Sequence, residues 1–146
     1  MTASLPSVTL VRRLKAPPAK VWAAITQPDL MMQWWGPDAG PTLDVTADVR
    51  PGGRFSVVFR LLDGSEHNPT GTYQTVVPEK VLSFTWDLPG RAEPKSLVTF
   101  RLKPMDGGAE LTLTHEHLPD EAARMSHEQG WNGLLDKLPV FLGDRP

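Results

Sequence analysis

From Leu43 to His117 apolar residues recur at nearly every second position, and from Met125 to Leu142 they recur at every third or fourth. A period of two places alternate side chains on one face of a strand, whereas a period near 3.6 gathers them along one stripe of a helix. Few architectures satisfy both halves of such a chain. Consecutive strands with short links form an antiparallel sheet, and the long amphipathic helix that follows must lay its stripe on that sheet. The expected class is α+β.

Turn residues divide the strand-forming half. Leu43, Val45, Ala47 and Val49 alternate ahead of Arg50-Pro51-Gly52-Gly53, which has proline and glycine at the second and third positions of a type II turn. Phe55, Val57, Phe59 and Leu61 form the returning strand, and Asp63-Gly64 is the next turn signal. A strand over about Thr70 to Val77 follows, then one over about Lys80 to Leu88 with Leu82, Phe84 and Trp86 on one face, ended by Pro89-Gly90. Val98, Phe100 and Leu102 alternate next, Asp106-Gly107-Gly108 turns the chain, and Leu111, Leu113 and His115 alternate last.

The β-rich segment from Val8 to Lys15 adds a first strand, for about seven in all. After it, Pro18 opens a short helix to about Ile25 and Pro28 a second through Trp34, because proline suits a first helical turn. Proline and glycine then cluster from Gly36-Pro37 to Pro41 in a loop. In the last helix, Gly130 and Gly133 each cost about 1 kcal/mol relative to alanine. That loss predicts either close approach to the sheet or space for a ligand. Pro139 predicts a kink or an early end.

The length of 146 residues suits a single domain over 1–146 with its core at about 8–142. Hydrophobic residues at 40% and charged residues at 22% fit a soluble globule. A net charge of -2 without a Lys/Arg run argues against nucleic acid as a partner. With no Cys, disulfides and thiolate chemistry are excluded. Residues 1–6 lack a secretory pattern, and no apolar run approaches the roughly 20 residues of a membrane span. The expected location is therefore cytoplasmic, without a membrane partner.

Beyond this pattern, several segments carry a likeness: Pro28-Asp29-Leu30 with Trp34-Trp35-Gly36-Pro37, Asp48 to Phe55, Gly71-Thr72-Tyr73, Leu82 to Trp86, Leu113-Thr114-His115, and Gly130-Trp131 with Leu134, Leu135 and Leu138. In order and spacing the chain resembles the helix-grip domains of the START-related, Bet v 1-like superfamily. Within it, the chain is similar to the group represented by the C-terminal domain of the activator of the Hsp90 ATPase. The resemblance spans about Val8 to Leu142. It implies a curved antiparallel sheet gripping a long C-terminal helix, with an apolar cavity between them that in many relatives takes up a hydrophobic molecule.

The inward set should be Phe55, Val57, Phe59, Leu82, Phe84, Trp86, Val98, Phe100, Leu111, Leu113 and His115, facing Trp131, Leu134, Leu135 and Leu138. Trp86 and Trp131 should meet across the core. Trp34, Phe59, Tyr73, Phe84, Trp86 and Phe100 are the candidate cavity residues from the first helices and the earlier strands. Leu113, His115, His127, Trp131 and Leu135 complete the set. For each the alternative is plain core filling. Trp34 and Trp35 could form a lid or a partner surface, or plug the structure beneath the loop, which is the reading preferred for Trp35. Tyr73 could orient a ligand or bond a buried carbonyl.

His115 and His117 form H-x-H, which on a strand would direct two potential zinc ligands to one face. His127 and Glu121 are the groups that folding could add. No third ligand with convincing spacing is present, so no metal site is expected, and no nucleotide-binding loop or G-x-S-x-G elbow implies a cofactor or a serine nucleophile. Two functions remain. One is binding of a small hydrophobic molecule, and the other, implied by the resemblance, is a co-chaperone module contacting an Hsp90-type chaperone, as a monomer or a homodimer. A third, also implied by relatives, is cyclase or hydrolase chemistry with His115, Tyr73 and His127 as acid–base groups.

Overall fold

A computed structural model describes residues 6–36, 40–87 and 96–143. The chain begins with strand β1 (Val8–Leu14) and helices α1 (Pro18–Thr26) and α2 (Pro28–Trp34). Six strands of the main pattern follow, β2 (Thr42–Ala47), β3 (Arg54–Arg60), β5 (Thr70–Val77), β6 (Val81–Trp86), β7 (Ser96–Met105) and β8 (Gly108–Glu116), with a two-residue β4 (Glu66–His67) after β3. Helix α3 (Glu121–Phe141) closes the chain. The expected turn at Pro89-Gly90, the residue Pro37 and the extreme N-terminus lie outside the described residues.

All strand pairs are antiparallel, in the order β1-β8-β7-β6-β5-β3-β2, with β4 on β3. The result is a curled sheet around a long C-terminal helix, an α+β helix-grip fold. The turn after β2 behaves as its residues dictate. Gly52 has φ 85°, a left-handed value that suits glycine, and Gly53 N–H donates to the Arg50 carbonyl at 2.8 Å. The extra strand β4 escapes the sequence pattern because Glu66 and His67 show no apolar alternation. Pairing of Phe59 with His67 and Arg60 with Glu66 holds it in place.

Helix α3 starts where Asp120 accepts a hydrogen bond from the Ala123 N–H at 2.8 Å, a side-chain cap for an otherwise orphaned donor. At its far end, Lys20 from α1 donates to the Leu142 carbonyl at 2.9 Å. Pro139 lies inside the last turn, leaves the Leu135 carbonyl without its usual N–H partner, and the helix ends two residues later at Phe141. Trp131, Leu134, Leu135 and Leu138 form the buried stripe. Against it the sheet turns the expected set inward: all are buried except Phe59 and Trp86, which are half-buried. Among the described residues, no helix is long and apolar enough to cross a membrane.

Candidate ligand-binding site

A directed chain of hydrogen bonds joins the middle of α3 to three strands. The indole Nε1–H of Trp131 donates to His115 Nδ1 at 2.9 Å, and His115 Nε2 bonds Ser96 Oγ at 2.9 Å. The Ser96 hydroxyl in turn donates to the Trp86 carbonyl at 2.9 Å. Both ends fix the tautomer of the imidazole. An indole nitrogen can only donate, so His115 Nδ1 carries a lone pair; a carbonyl can only accept, so Ser96 directs its proton there and receives the Nε2–H. The ring must be neutral for all three bonds to exist. Burial pushes the His115 pKa down to about 3, and a proton on the neighbouring His127 acts in the same direction.

Beside this chain, between α3 and the edge of the sheet, lies a cavity of about 330 Å³, open on one side. Its apolar wall is Trp35, Phe59, Leu61, Trp86, Trp131 and Leu134. His67, Asn68 and Pro69 form the rim around β4, and Asp87 follows β6. From α3 come Ser126, His127 and Gly130. The void exists where the sheet and helix separate, and the half-burial of Phe59 and Trp86 follows from it. Trp86 and Trp131 meet there with ring centroids 5.1 Å apart, and Trp131 also stands edge-on to Trp35 at 6.2 Å. The glycine at position 130, unfavourable in a helix, forms part of the lining.

Of the candidate cavity residues, Phe59, Trp86, His127 and Trp131 come together around this void. Phe84, Phe100, Leu113 and Leu135 pack in the solid core instead, since the inward face of the sheet is filled by its own side chains along most of its length. Tyr73 is buried against Phe55 and Phe84, and burial, then Asp48, raise its phenol pKa. His115 acts from behind the lining, through Trp131. The two adjacent tryptophans exchange the roles expected of them. Trp34 is the plug, its indole donating to the Ala24 carbonyl at 3.0 Å and its rings stacked on Phe141 at 6.3 Å, whereas Trp35 lines the cavity.

His67, Asn68, Pro69, Asp87 and Ser126 are lining residues that the sequence pattern does not single out. They flank turns or face the exposed side of α3, where periodicity carries no signal; Leu61 and Gly130 were the visible hints.

The H-x-H pair does not share a face. His115 is fully buried at the end of β8, while His117 lies beyond that strand with φ 63°, exposed, so the alternation stops between them. Both ring nitrogens of His115 are committed to protein partners. Among the described residues, no group of three or more His, Asp or Glu could hold a metal ion. On the surface, Asp63, Ser65 and His67 adjoin one another, but the Ser65 hydroxyl donates to Asp63 at 2.6 Å and not to the imidazole. That polarity is opposite to the one that activates a serine nucleophile.

In sequence, residues 15–143 match the family described as activator of Hsp90 ATPase homolog 1-like protein. A solved structure from Chromobacterium violaceum is similar at TM-score 0.84 and 26% identity, over 96% of this chain and 98% of that one. One from Nitrosomonas europaea gives TM-score 0.81 and 27% identity, over 98% and 97%. The AHSA1 protein from Silicibacter pomeroyi gives TM-score 0.81 and 28% identity, over 94% and 98%. No curated protein matches the chain.

Proposed function

The chain belongs to the family of activator of Hsp90 ATPase homolog 1-like proteins, and from that premise we propose that it binds a small hydrophobic molecule between the sheet and the C-terminal helix. The observation that carries this reading is the cavity of about 330 Å³ walled by Trp35, Phe59, Trp86 and Trp131. Such a volume is at the lower end of the range for ligand pockets, and an apolar wall with a few polar groups is their usual composition. It suits a compact molecule better than a long acyl chain.

Of the three acid–base candidates, only His127 lines the cavity; Tyr73 and His115 are buried outside its lining. The co-chaperone reading draws on the family name. Trp34 and Trp35, the pair expected to offer a partner surface, are only 3% and 2% exposed and do not form one.

Thermal denaturation with a panel of compact aromatic compounds tests the proposal. A ligand at 100 times its dissociation constant, binding the folded state alone, stabilises it by about 2.7 kcal/mol. Several compounds should raise the melting temperature, and Leu134→Trp, which enlarges a lining side chain, should abolish the shift while the variant remains folded. If no compound shifts melting and an immobilised Hsp90-type chaperone retains the protein, the co-chaperone reading replaces this one.

A further inference from the structure

If the cavity holds a ligand, as proposed above, the hydrogen bonds around it restrict the chemistry of that ligand. His127 donates its Nδ1–H to the Ala123 carbonyl at 2.7 Å, because a carbonyl can only accept; whenever the ring is neutral, Nε2 is left as an acceptor. Asn68 directs its amide hydrogens to Ser56 Oγ and the Val57 carbonyl, each at 2.9 Å, and keeps only Oδ1 for the rim. His67 gives Nε2–H to Ser65 Oγ at 3.1 Å, since the Ser65 proton is directed to Asp63, so its Nδ1 is a third acceptor. The polar side chains at the rim therefore present an excess of acceptors.

Charge narrows the choice further. Among the described residues that line the cavity there is no Lys or Arg, and Asp87 is acidic. A carboxylate ligand would lose its hydration and find no Lys or Arg among the described lining residues, and Arg54 beside them is already engaged by Asp87 at 3.6 Å. Neutral donors alone are weak partners for a full negative charge. A purely apolar ligand would cover the acceptors without satisfying them, at the cost of their desolvation.

The geometry points to a compact, uncharged aromatic alcohol of the phenol class, its ring held by Phe59, Trp86 and Trp131 and its hydroxyl donating to His127 Nε2. Calorimetric titration at neutral pH with 2-naphthol, naphthalene and 2-naphthoate, three bicyclic probes of nearly equal ring size, tests this. 2-Naphthol should bind roughly tenfold more tightly than naphthalene, the scale of one net hydrogen bond, and more tightly than 2-naphthoate. The variant His127→Leu should bring 2-naphthol to the affinity of naphthalene, which itself should hardly change. Naphthoate binding as tightly as naphthol, or naphthol no better than naphthalene, overturns the alcohol assignment and leaves the cavity reading intact. If none of the three binds, and Leu134→Trp behaves as the wild type, both fall.

Discussion

The indole of Trp131 donates its N–H to the fully buried His115 at 2.9 Å, so one residue both fills the core and fixes the tautomer of another. The two contributions can be separated. Trp131→Ala should destabilise the protein by about 3 to 5 kcal/mol, the usual loss for a large buried aromatic. Trp131→Phe keeps most of the volume but leaves His115 Nδ1 without a donor, and should cost about 1 to 3 kcal/mol. Urea denaturation of both variants at neutral pH checks the order; equal losses would mean that packing alone matters.

Acid should weaken the fold through His115. Its pKa is 6.5 in ordinary surroundings and about 3 in the folded protein, so between those values the unfolded chain binds the extra proton. Stability from this group is complete above the upper value and falls by about 1.4 kcal/mol for each pH unit below it, until the lower value is approached. Protonation would also place an N–H on Nδ1 opposite the Trp131 N–H. Denaturation at pH values on both sides of this window should show the slope, and His115→Leu should flatten it even though that variant is less stable overall.

Gly71 pairs with Phe55 across β5 and β3, and a Cβ at position 71 would collide with the Thr85 carbonyl oxygen and approach Phe55 Cε1 to 2.5 Å. The carbonyl is backbone and cannot swing aside. Gly71→Ala should therefore lower stability by about 1 to 3 kcal/mol, as overpacking commonly does. A melting temperature unchanged by the substitution would show that the two strands can separate at no cost.

Zinc should not bind stoichiometrically, because ligation by His115 would require it to give up Trp131 or Ser96 and His117 is directed elsewhere in the chain's geometry. Elemental analysis of protein purified without chelator provides the measurement. One metal per chain, lost in His115→Ala, would contradict it.

Periodicity made the inward face of the sheet readable in advance: Phe55, Leu82, Val98 and Leu113 needed only their alternation. Depth along each strand is a different quantity. Phe59 and Phe55 lie on the same face, yet only Phe59 reaches the void, because the sheet leaves α3 near that end of β3 and no local pattern encodes the separation. Trp34 and Trp35 exchange their expected roles for a related reason. The helix ends between them, Trp35 is extended with ψ 143°, and one residue of change in period redirects the side chain. The rim residues His67, Asn68 and Pro69 belong to a strand of two residues and its exit, a stretch too short to have a period.

The hydrogen-bonded chain from Trp131 through His115 and Ser96 to the Trp86 backbone makes the two sides of the cavity mechanically unequal. One jamb of the doorway is riveted, for moving Trp131 away from Trp86 breaks a bond in a sealed interior where no water can replace it. The other jamb hangs on two strand residues, Glu66 and His67, both exposed, whose lost bonds solvent can make good. Under the proposed ligand binding, a guest too large for the resting aperture should pass on the β4 side, and amide hydrogens there should exchange with solvent far sooner than those of β7 and β8.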